Sequence, residues 1–236
     1  MMDVPPFVEV AADPTLIAGI YDACDQWCMY CHATQWCLAY RCGATTRSTG
    51  GDMYRDLADR LYEGIIFLKQ LSKAEGRPTP EIDAMLANDP RAHQRLVIVE
   101  DPIEKMGRRY ARMSDAYLRS RSDFPYELKF RPSGPSPFEV FAWYHRLVPA
   151  KVYRAIVSAA AGARGDQARH NDALISAKVA LLGIDRSREA VAAMAIEDKD
   201  PRLDELQAQL RRLRNEVEKR FPSARRFVRP GLDAPT

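Results

Sequence analysis

The chain has 236 residues, of which 46% are hydrophobic and 28% are charged, and its formal net charge is +3 at pH 7. This composition supplies enough apolar side chains for a core and excludes a disordered chain, a fibrous repeat and a disulfide-dense mini-protein. No apolar run approaches the roughly 20 residues of a membrane-spanning helix. Residues 1–14 lack the basic start of a secretory signal, so we expect a cytoplasmic protein whose thiols stay reduced.

The charge is unevenly distributed along the chain. Residues 1–46 contain one basic and five acidic side chains, whereas residues 201–236 contain nine basic and five acidic ones. A basic C-terminal part indicates an interaction surface. Its arginines could contact the phosphates of a nucleic acid, which makes a nucleic-acid-associated protein one alternative. They are Arg211, Arg212, Arg214, Arg220, Arg225, Arg226 and Arg229.

Apolar residues recur at spacings of three and four along most of the chain. This pattern predicts an all-α fold, a helical bundle of about six helices. One helix is expected within residues 52–71. Another is predicted to begin at Pro102, with Asp101 as its N-cap and one apolar face running from Ile103 to Tyr117. Residues 96–99 are expected to be helical or to form a kink before Pro102.

Prolines and glycines predict where the later helices begin and end. A proline-rich connection leads to the Ser-Pro pair at 136–137, which opens an aromatic helix. Pro149 is expected to kink or divide this helix, and the glycines at 162 and 165 mark its end. The next helix is predicted to start at Asp166 or Asn171. It is apolar on more than one side, which is typical of the central helix of a bundle.

The last predicted helix covers residues 201–220 and carries a strict a/d seam of aliphatic residues. This seam either packs against the rest of the bundle or pairs with a second copy in a homo-oligomer. Residues 221–236 are expected to be a basic tail. The chain is thus predicted to contain a Cys-rich segment at 1–46, a helical bundle at 47–200 and an amphipathic helix with a tail at 201–236, within one structural domain.

The cysteines are clustered in a way that needs a local cause. All five lie within 19 residues, at Cys24, Cys28, Cys31, Cys37 and Cys42. The first four have the spacing C-x3-C-x2-C-x5-C. The first three would share one face of a helix that Asp13 or Thr15 could cap, and the fourth would arrive from a turn. In a reducing compartment this pattern is more typical of a metal site than of a disulfide. Redox-active thiols and thiols that only pack remain alternatives.

The spacing also bears on which metal would bind. Structural zinc usually takes two short cysteine pairs separated by a longer loop, whereas iron–sulfur clusters draw four cysteines largely from one segment. Nearby aromatic side chains would limit solvent around the sulfurs. We therefore predict a 4Fe–4S cluster bound by Cys24, Cys28, Cys31 and Cys37, with zinc as the alternative. His32 or Cys42 could replace one of these ligands.

Two resemblances are carried by these residues. The run Cys28-x2-Cys31-x5-Cys37 resembles the last three ligands of the iron–sulfur loop in helix-hairpin-helix DNA glycosylases. The pattern of that family is C-x6-C-x2-C-x5-C, so the position of Cys24 departs from it, and the resemblance implies only a type of cluster. Cys24-Asp25-x-Trp27-Cys28, together with residues 20–22 and 176–181, resembles uncharacterised bacterial helical proteins.

Polar residues on two later helices support a different interpretation. Glu139 and His145 lie on the aromatic helix, and Asp172 and Lys178 lie on the apolar helix expected to pack against it. These four could line a polar pocket of an enzyme between the Trp143 and Lys178 helices, or they could form ion pairs within the bundle. Since no familiar catalytic motif occurs, the sequence favours a metal-binding protein with a structural, redox or sensing role.

Overall fold

The computed structural model describes residues 10, 12–46, 100–121, 130–163 and 165–233. These residues form five α-helices and no strand, so the predicted all-α fold is confirmed. The helices are α1 (Leu38–Thr46), α2 (Pro102–Arg119), α3 (Pro137–Gly162), α4 (Gln167–Glu197) and α5 (Pro201–Arg220). The helix predicted at 52–71 and the stretch 96–99 lie outside the described residues.

The chain divides into two compact units. The N-terminal unit contains Met1–Tyr21 and His32–Arg91, and the bundle unit contains Asp22–Cys31 and Ala92–Thr236. This division differs from the predicted segments for two reasons. Residues 22–31 are hydrogen-bonded to the bundle helices, and α5 contributes to the core of the bundle instead of forming a separate C-terminal segment.

Side-chain caps fix where the helices of the bundle unit begin. The Asp101 carboxylate accepts hydrogen bonds from the first backbone amides of α2. Ser136 and Glu139 form a reciprocal capping box at the start of α3. Asp166 caps α4, and Asp200 caps α5. Each cap satisfies amides that the helix itself leaves without a partner, which is why these polar residues mark helix starts in the sequence.

Helix α3 continues through Pro149, so the helix is not divided there. Val148 and Val152, which flank the proline, are both fully buried. Because helical stability in proteins comes mainly from tertiary packing, this burial keeps both halves in one helix despite the hydrogen bond that proline removes.

Helices α3 and α4 form the central pair of the bundle unit, α5 packs against α4 and α2, and α2 packs against α3. A central position for α4 was expected from its apolar pattern. The aliphatic seam of α5 is buried inside the same chain, at Leu203, Leu206, Leu210, Leu213 and Val217. The packing alternative is therefore the one observed, and the seam is not an exposed surface for a second copy.

The described residues of the N-terminal unit are held by local contacts. The Asp13 carboxylate accepts hydrogen bonds from the backbone amide and hydroxyl of Thr15 and forms a 2.7 Å ion pair with Arg41. These bonds lower the pKa of Asp13 to about 2. The backbone amide of Ile17 donates to the carbonyl of Trp36 at 3.0 Å, which joins the two segments of this unit.

Candidate functional site

The structure distributes the five cysteines over both units. Cys24, Cys28 and Cys31 lie in residues 22–31 of the bundle unit, which we call the cysteine loop, whereas Cys37 and Cys42 belong to the N-terminal unit. None of the five forms a disulfide, and Cys37 is buried. Among the described residues, no three His, Cys, Asp or Glu side chains form a group that could hold a metal ion.

The prediction that Cys24, Cys28 and Cys31 share one face of an α-helix is wrong. The Asp25 carboxylate accepts a hydrogen bond from the amide of Trp27 at 3.2 Å, and Gln26 adopts a φ of 60°, in the left-handed region. This local turn competes with a helix, as short polar side chains commonly do. Only Cys28–Tyr30 is helical, as one 3-10 turn. Neither Asp13 nor Thr15 caps a helix, because their hydrogen bonds close a turn instead.

Backbone groups of the cysteine loop are satisfied by side chains of α3 and the C-terminal segment. The carbonyl of Asp22 accepts from the ammonium of Lys151 at 2.8 Å, and the carbonyl of Asp25 accepts from the indole of Trp143 at 3.0 Å. The carbonyl of Ala23 accepts from Arg229 at 3.3 Å. These bonds fix an irregular backbone that has few internal partners of its own.

Lys151, which donates to the carbonyl of Asp22, is a buried cation. Its side chain is only 5% exposed, and burial lowers the pKa of its ammonium group. The neighbouring Arg154 forms ion pairs with Asp22 at 2.9 Å and with Asp172 at 2.6 Å. Two cations of α3 therefore lie directly against the start of the cysteine loop.

A second polar cluster holds the middle of the loop. The hydroxyl of Tyr144 donates to the carboxylate of Asp25, and Arg186 of α4 contacts both groups, with a 2.8 Å ion pair to Asp25. Burial and the neighbouring Asp25 carboxylate raise the pKa of Tyr144 well above its usual value. The tyrosine therefore stays protonated and serves as a hydrogen-bond donor.

Aromatic packing completes the attachment of the loop. Trp27 stacks on Trp143 with ring centroids 5.1 Å apart, and its ring stands perpendicular to that of Tyr30 at 5.2 Å. Trp27 is 5% exposed and belongs to the core of the bundle unit. Its indole nitrogen is buried without a hydrogen-bond partner.

An open pocket of about 470 Å³ lies beside this aromatic corner. Its walls combine the loop, the start of α3 and one face of α4. We call it the aromatic pocket, and it is lined by Trp27, Tyr30, Pro135, Pro137, Val140, Arg186, Glu189, Ala190 and Ala193. The lining is mostly apolar, with one cation and one carboxylate at α4. Its volume lies within the range of small-molecule sites.

The four residues considered for an enzyme pocket each have a different partner. Glu139 pairs with Arg131 and caps α3, the Nδ1 atom of His145 contacts the carbonyl of Ala142 at 2.6 Å, and Asp172 pairs with Arg154. Lys178 forms a 2.6 Å ion pair with Asp233. Glu139, Asp172 and Lys178 therefore form ion pairs, as the second interpretation expected. The pocket that the structure shows is lined by other residues.

Several arginines of the C-terminal part are used inside the chain. Arg214 and Arg225 pair with Asp185 on α4, and Arg229 pairs with Asp233. These three arginines therefore form ion pairs within the chain. His32 is exposed in the N-terminal unit, and Cys42 lies half-buried on α1.

No family model, curated protein or solved structure matches this chain. Both resemblances noted in the sequence therefore remain predictions. In the described ranges, no helix combines the length and the apolar character needed to span a bilayer.

The residues that surround the cysteine loop were hard to predict from the sequence. Lys151, Arg154 and Arg186 looked like ordinary charged positions on helices, and each lies more than 100 residues from the loop. The available signal was the isolated Lys151 among apolar neighbours, because a charge in such a position needs a partner.

Proposed function

We propose that this protein binds a metal centre through Cys24, Cys28, Cys31 and Cys37, namely a 4Fe–4S cluster, with zinc as the alternative metal. One observation carries the proposal. The loop that bears the first three thiols is fixed to α3, α4 and the C-terminal segment by three backbone anchors and two acidic side chains. An anchored backbone lets side chains close on a metal with a smaller loss of conformational entropy.

The chemistry of the donors fits such a centre. No cysteine of the chain forms a disulfide, so each keeps a thiol, which must lose its proton to bind a metal. Four thiolates carry substantial negative charge, which nearby cations stabilise. Lys151, Arg154, Arg186 and Arg229 all contact the cysteine loop.

The described side chains do not form a ligand shell, so we expect metal binding to reorient the thiols. Rotation about the Cα–Cβ bonds of the half-buried Cys24, Cys28 and Cys31 requires no change in the backbone anchors of the cysteine loop. A bound cluster would supply one-electron transfer or a cross-link between chain segments, in keeping with a redox, sensing or structural role. With zinc, the cross-linking role would remain.

Single serine variants at the five cysteines test this proposal. The parent and the Cys24→Ser, Cys28→Ser, Cys31→Ser, Cys37→Ser and Cys42→Ser proteins are purified without oxygen, and iron, zinc and sulfide are measured per chain. We expect the first four variants to lose most of the metal and Cys42→Ser, the matched control, to retain it. Iron with sulfide and a broad visible absorption would identify the cluster, whereas zinc alone would identify the alternative.

Two outcomes would contradict the proposal. A parent protein that contains no metal and takes up neither iron with sulfide nor zinc would remove the metal centre altogether. If Cys42→Ser is the damaging change and Cys24→Ser has no effect, the set of ligands is wrong.

A further inference from the structure

Large apolar side chains next to the aromatic pocket are exposed to solvent. Phe130, whose ring stacks on that of Tyr30, is 60% exposed, and Ile196 of α4 is 74% exposed. Ile196 lies three residues beyond Ala193, so it continues the face of α4 that lines the pocket. Single apolar side chains are normal on a protein surface, but exposed apolar side chains around an apolar pocket indicate an interface.

Glu197, the last residue of α4, is placed where a cation would be favourable. It is exposed and forms no ion pair among the described residues. The last turn of α4 contains no basic residue, and the C-terminal end of a helix is the negative end of the helix dipole. A cation supplied by a second molecule would therefore stabilise this end of α4.

Arg186 lies at the other end of the same face of α4. Glu197 follows it by eleven residues, or about three turns, so the two side chains project from the same side of the helix. The bonds of Arg186 to Asp25 and Tyr144 both use Nη1, and its Nε and Nη2 atoms have no hydrogen-bond partner among the described residues. Its side chain is 53% exposed and can bind a second carboxylate. Arginines elsewhere in this chain bind two carboxylates in the same way.

From these features we propose that a second copy of this chain covers the aromatic pocket in a symmetric dimer, in which the two α4 helices pair antiparallel. With the two-fold axis between Ala190 and Ala193, this pairing places Arg186 of each copy opposite Glu197 of the other. The ion pair therefore forms twice, as two-fold symmetry requires. Parallel pairing would instead oppose Arg186 to Arg186 and Glu197 to Glu197, so the charges of this face favour the antiparallel arrangement.

The same pairing removes apolar surface from water. The small side chains of Ala190 and Ala193 let the two helices approach closely, and the second copy covers Ile196 and the apolar walls of the pocket. This burial supplies the main driving force for association, whereas the ion pairs fix the register. The inference goes beyond the proposed metal centre and does not depend on it, because no thiol takes part.

Analytical ultracentrifugation of the full chain over a wide range of concentrations measures the dimer. A reductant is present throughout, so that no disulfide joins the copies. We expect the parent to show a reversible equilibrium between monomer and dimer. Ala193→Glu introduces a carboxylate at a half-buried position in the centre of the interface and should give a monomer, and circular dichroism checks that its helix content is unchanged.

Two variants that each neutralise one carboxylate of α4 test the register. Glu197→Gln removes both ion pairs and should raise the dissociation constant of the dimer about tenfold. Glu189→Gln is the matched control, because Glu189 is exposed on the same face but has no cation opposite it in this register. It should leave the dissociation constant unchanged or lower it.

Three results would overturn this inference. They are a parent that stays monomeric up to millimolar concentration, a dimer that Ala193→Glu does not weaken, and equal effects of Glu197→Gln and Glu189→Gln. The Cys37→Ser variant separates this proposal from the metal centre. We expect it to lose metal and to dimerise as the parent does, so failure of one proposal leaves the other open to its own test.

Discussion

At the scale of single residues, Gly183 determines how closely α3 and α4 approach each other. A Cβ atom at this position would lie 2.9 Å from both the ring of Tyr144 and a methyl group of Val148. Neither neighbour can move easily, because both are fully buried and Tyr144 is also bound to Asp25 and Arg186. The glycine therefore connects the packing of the bundle to the position of the cysteine loop.

Gly183→Ala should consequently destabilise the protein. Overpacking of a core typically costs about 1–3 kcal/mol. Replacing a helical glycine with alanine gains about 1 kcal/mol in helix propensity, so the net result should be a loss of up to about 2 kcal/mol. The matched control is Gly107→Ala on α2, where the added atom would meet its nearest neighbour at an ordinary 3.6 Å. Denaturant unfolding should show a loss of stability for Gly183→Ala and no loss, or a gain, for Gly107→Ala. Equal effects of both changes would contradict this role of Gly183.

At the scale of elements, local signals and long-range contacts differed in how well they could be predicted. Asp101, Ser136 and Asp166 marked helix starts because a cap acts within three residues of itself. The cysteine loop was predicted as a helix because the spacing of Cys24, Cys28 and Cys31 suits a helix as well as it suits the irregular loop that is observed. What decides its conformation is the turn at Asp25 and anchors from α3, and periodicity contains no information about such distant partners. The aromatic pocket could not be predicted from residue spacing either, because three separate segments of the chain line it.

Helix α5 offers a direct test of the assignment of its seam to the bundle core. Leu210 is fully buried, so Leu210→Asp removes an aliphatic side chain and introduces a carboxylate where water is excluded. We expect a loss of about 3–5 kcal/mol in the free energy of unfolding, measured with denaturant. Arg211→Asp on the exposed side of the same helix should change stability by no more than about 0.5 kcal/mol. A Leu210→Asp protein that keeps its stability but elutes at a smaller size would instead indicate that the seam joins two copies.

The anchors of the cysteine loop predict a measurable change in thiol accessibility. Asp25→Ala removes the ion pair with Arg186, the acceptor for Tyr144 and the hydrogen bond to the amide of Trp27. Three lost contacts should loosen the loop, so the half-buried Cys24 and Cys28 should react faster with a thiol reagent under native conditions. Asp166→Ala, which removes a cap of α4, is the control for a general loss of stability. Equal acceleration in both variants would mean that Asp25 does not hold the loop specifically.

At the scale of the bundle unit, the cysteine loop and the C-terminal segment 221–233 both contact α4. The C-terminal segment 221–233 returns to α4, where Lys178 pairs with Asp233 and donates to the carbonyl of Phe227. Arg229 pairs with the same carboxylate and also donates to Ala23 in the cysteine loop. Asp233 therefore forms ion pairs with Lys178 and Arg229, and these contacts attach the C-terminal segment to α4 and to the cysteine loop.

This arrangement predicts how stability depends on pH. Burial tends to raise the pKa of Asp233, but hydrogen bonds from Arg229 and Lys178 outweigh it and hold that pKa well below the ordinary value of 3.8. Because the folded protein favours the ionised carboxylate, the contribution of Asp233 is complete above about pH 5 and decreases as the pH falls through 3.8 towards the lowered pKa of the folded state. Asp233→Asn should therefore cost about 1–2 kcal/mol at pH 7, allowing for the partial exposure of the pair.

Urea unfolding of the parent and of Asp233→Asn over a range of pH measures this contribution directly. The difference in the free energy of unfolding should be constant from pH 7 to about pH 5 and should shrink in acid, because protonation of Asp233 in the parent removes the same charge that the variant lacks. Glu205→Gln, which changes an exposed carboxylate of α5 that lies beyond its first turn and has no ion pair among the described residues, should show no such difference. A gap between parent and Asp233→Asn that stays constant down to pH 2 would show that packing or hydrogen bonding of the side chain, and not its charge, fastens the C-terminal segment.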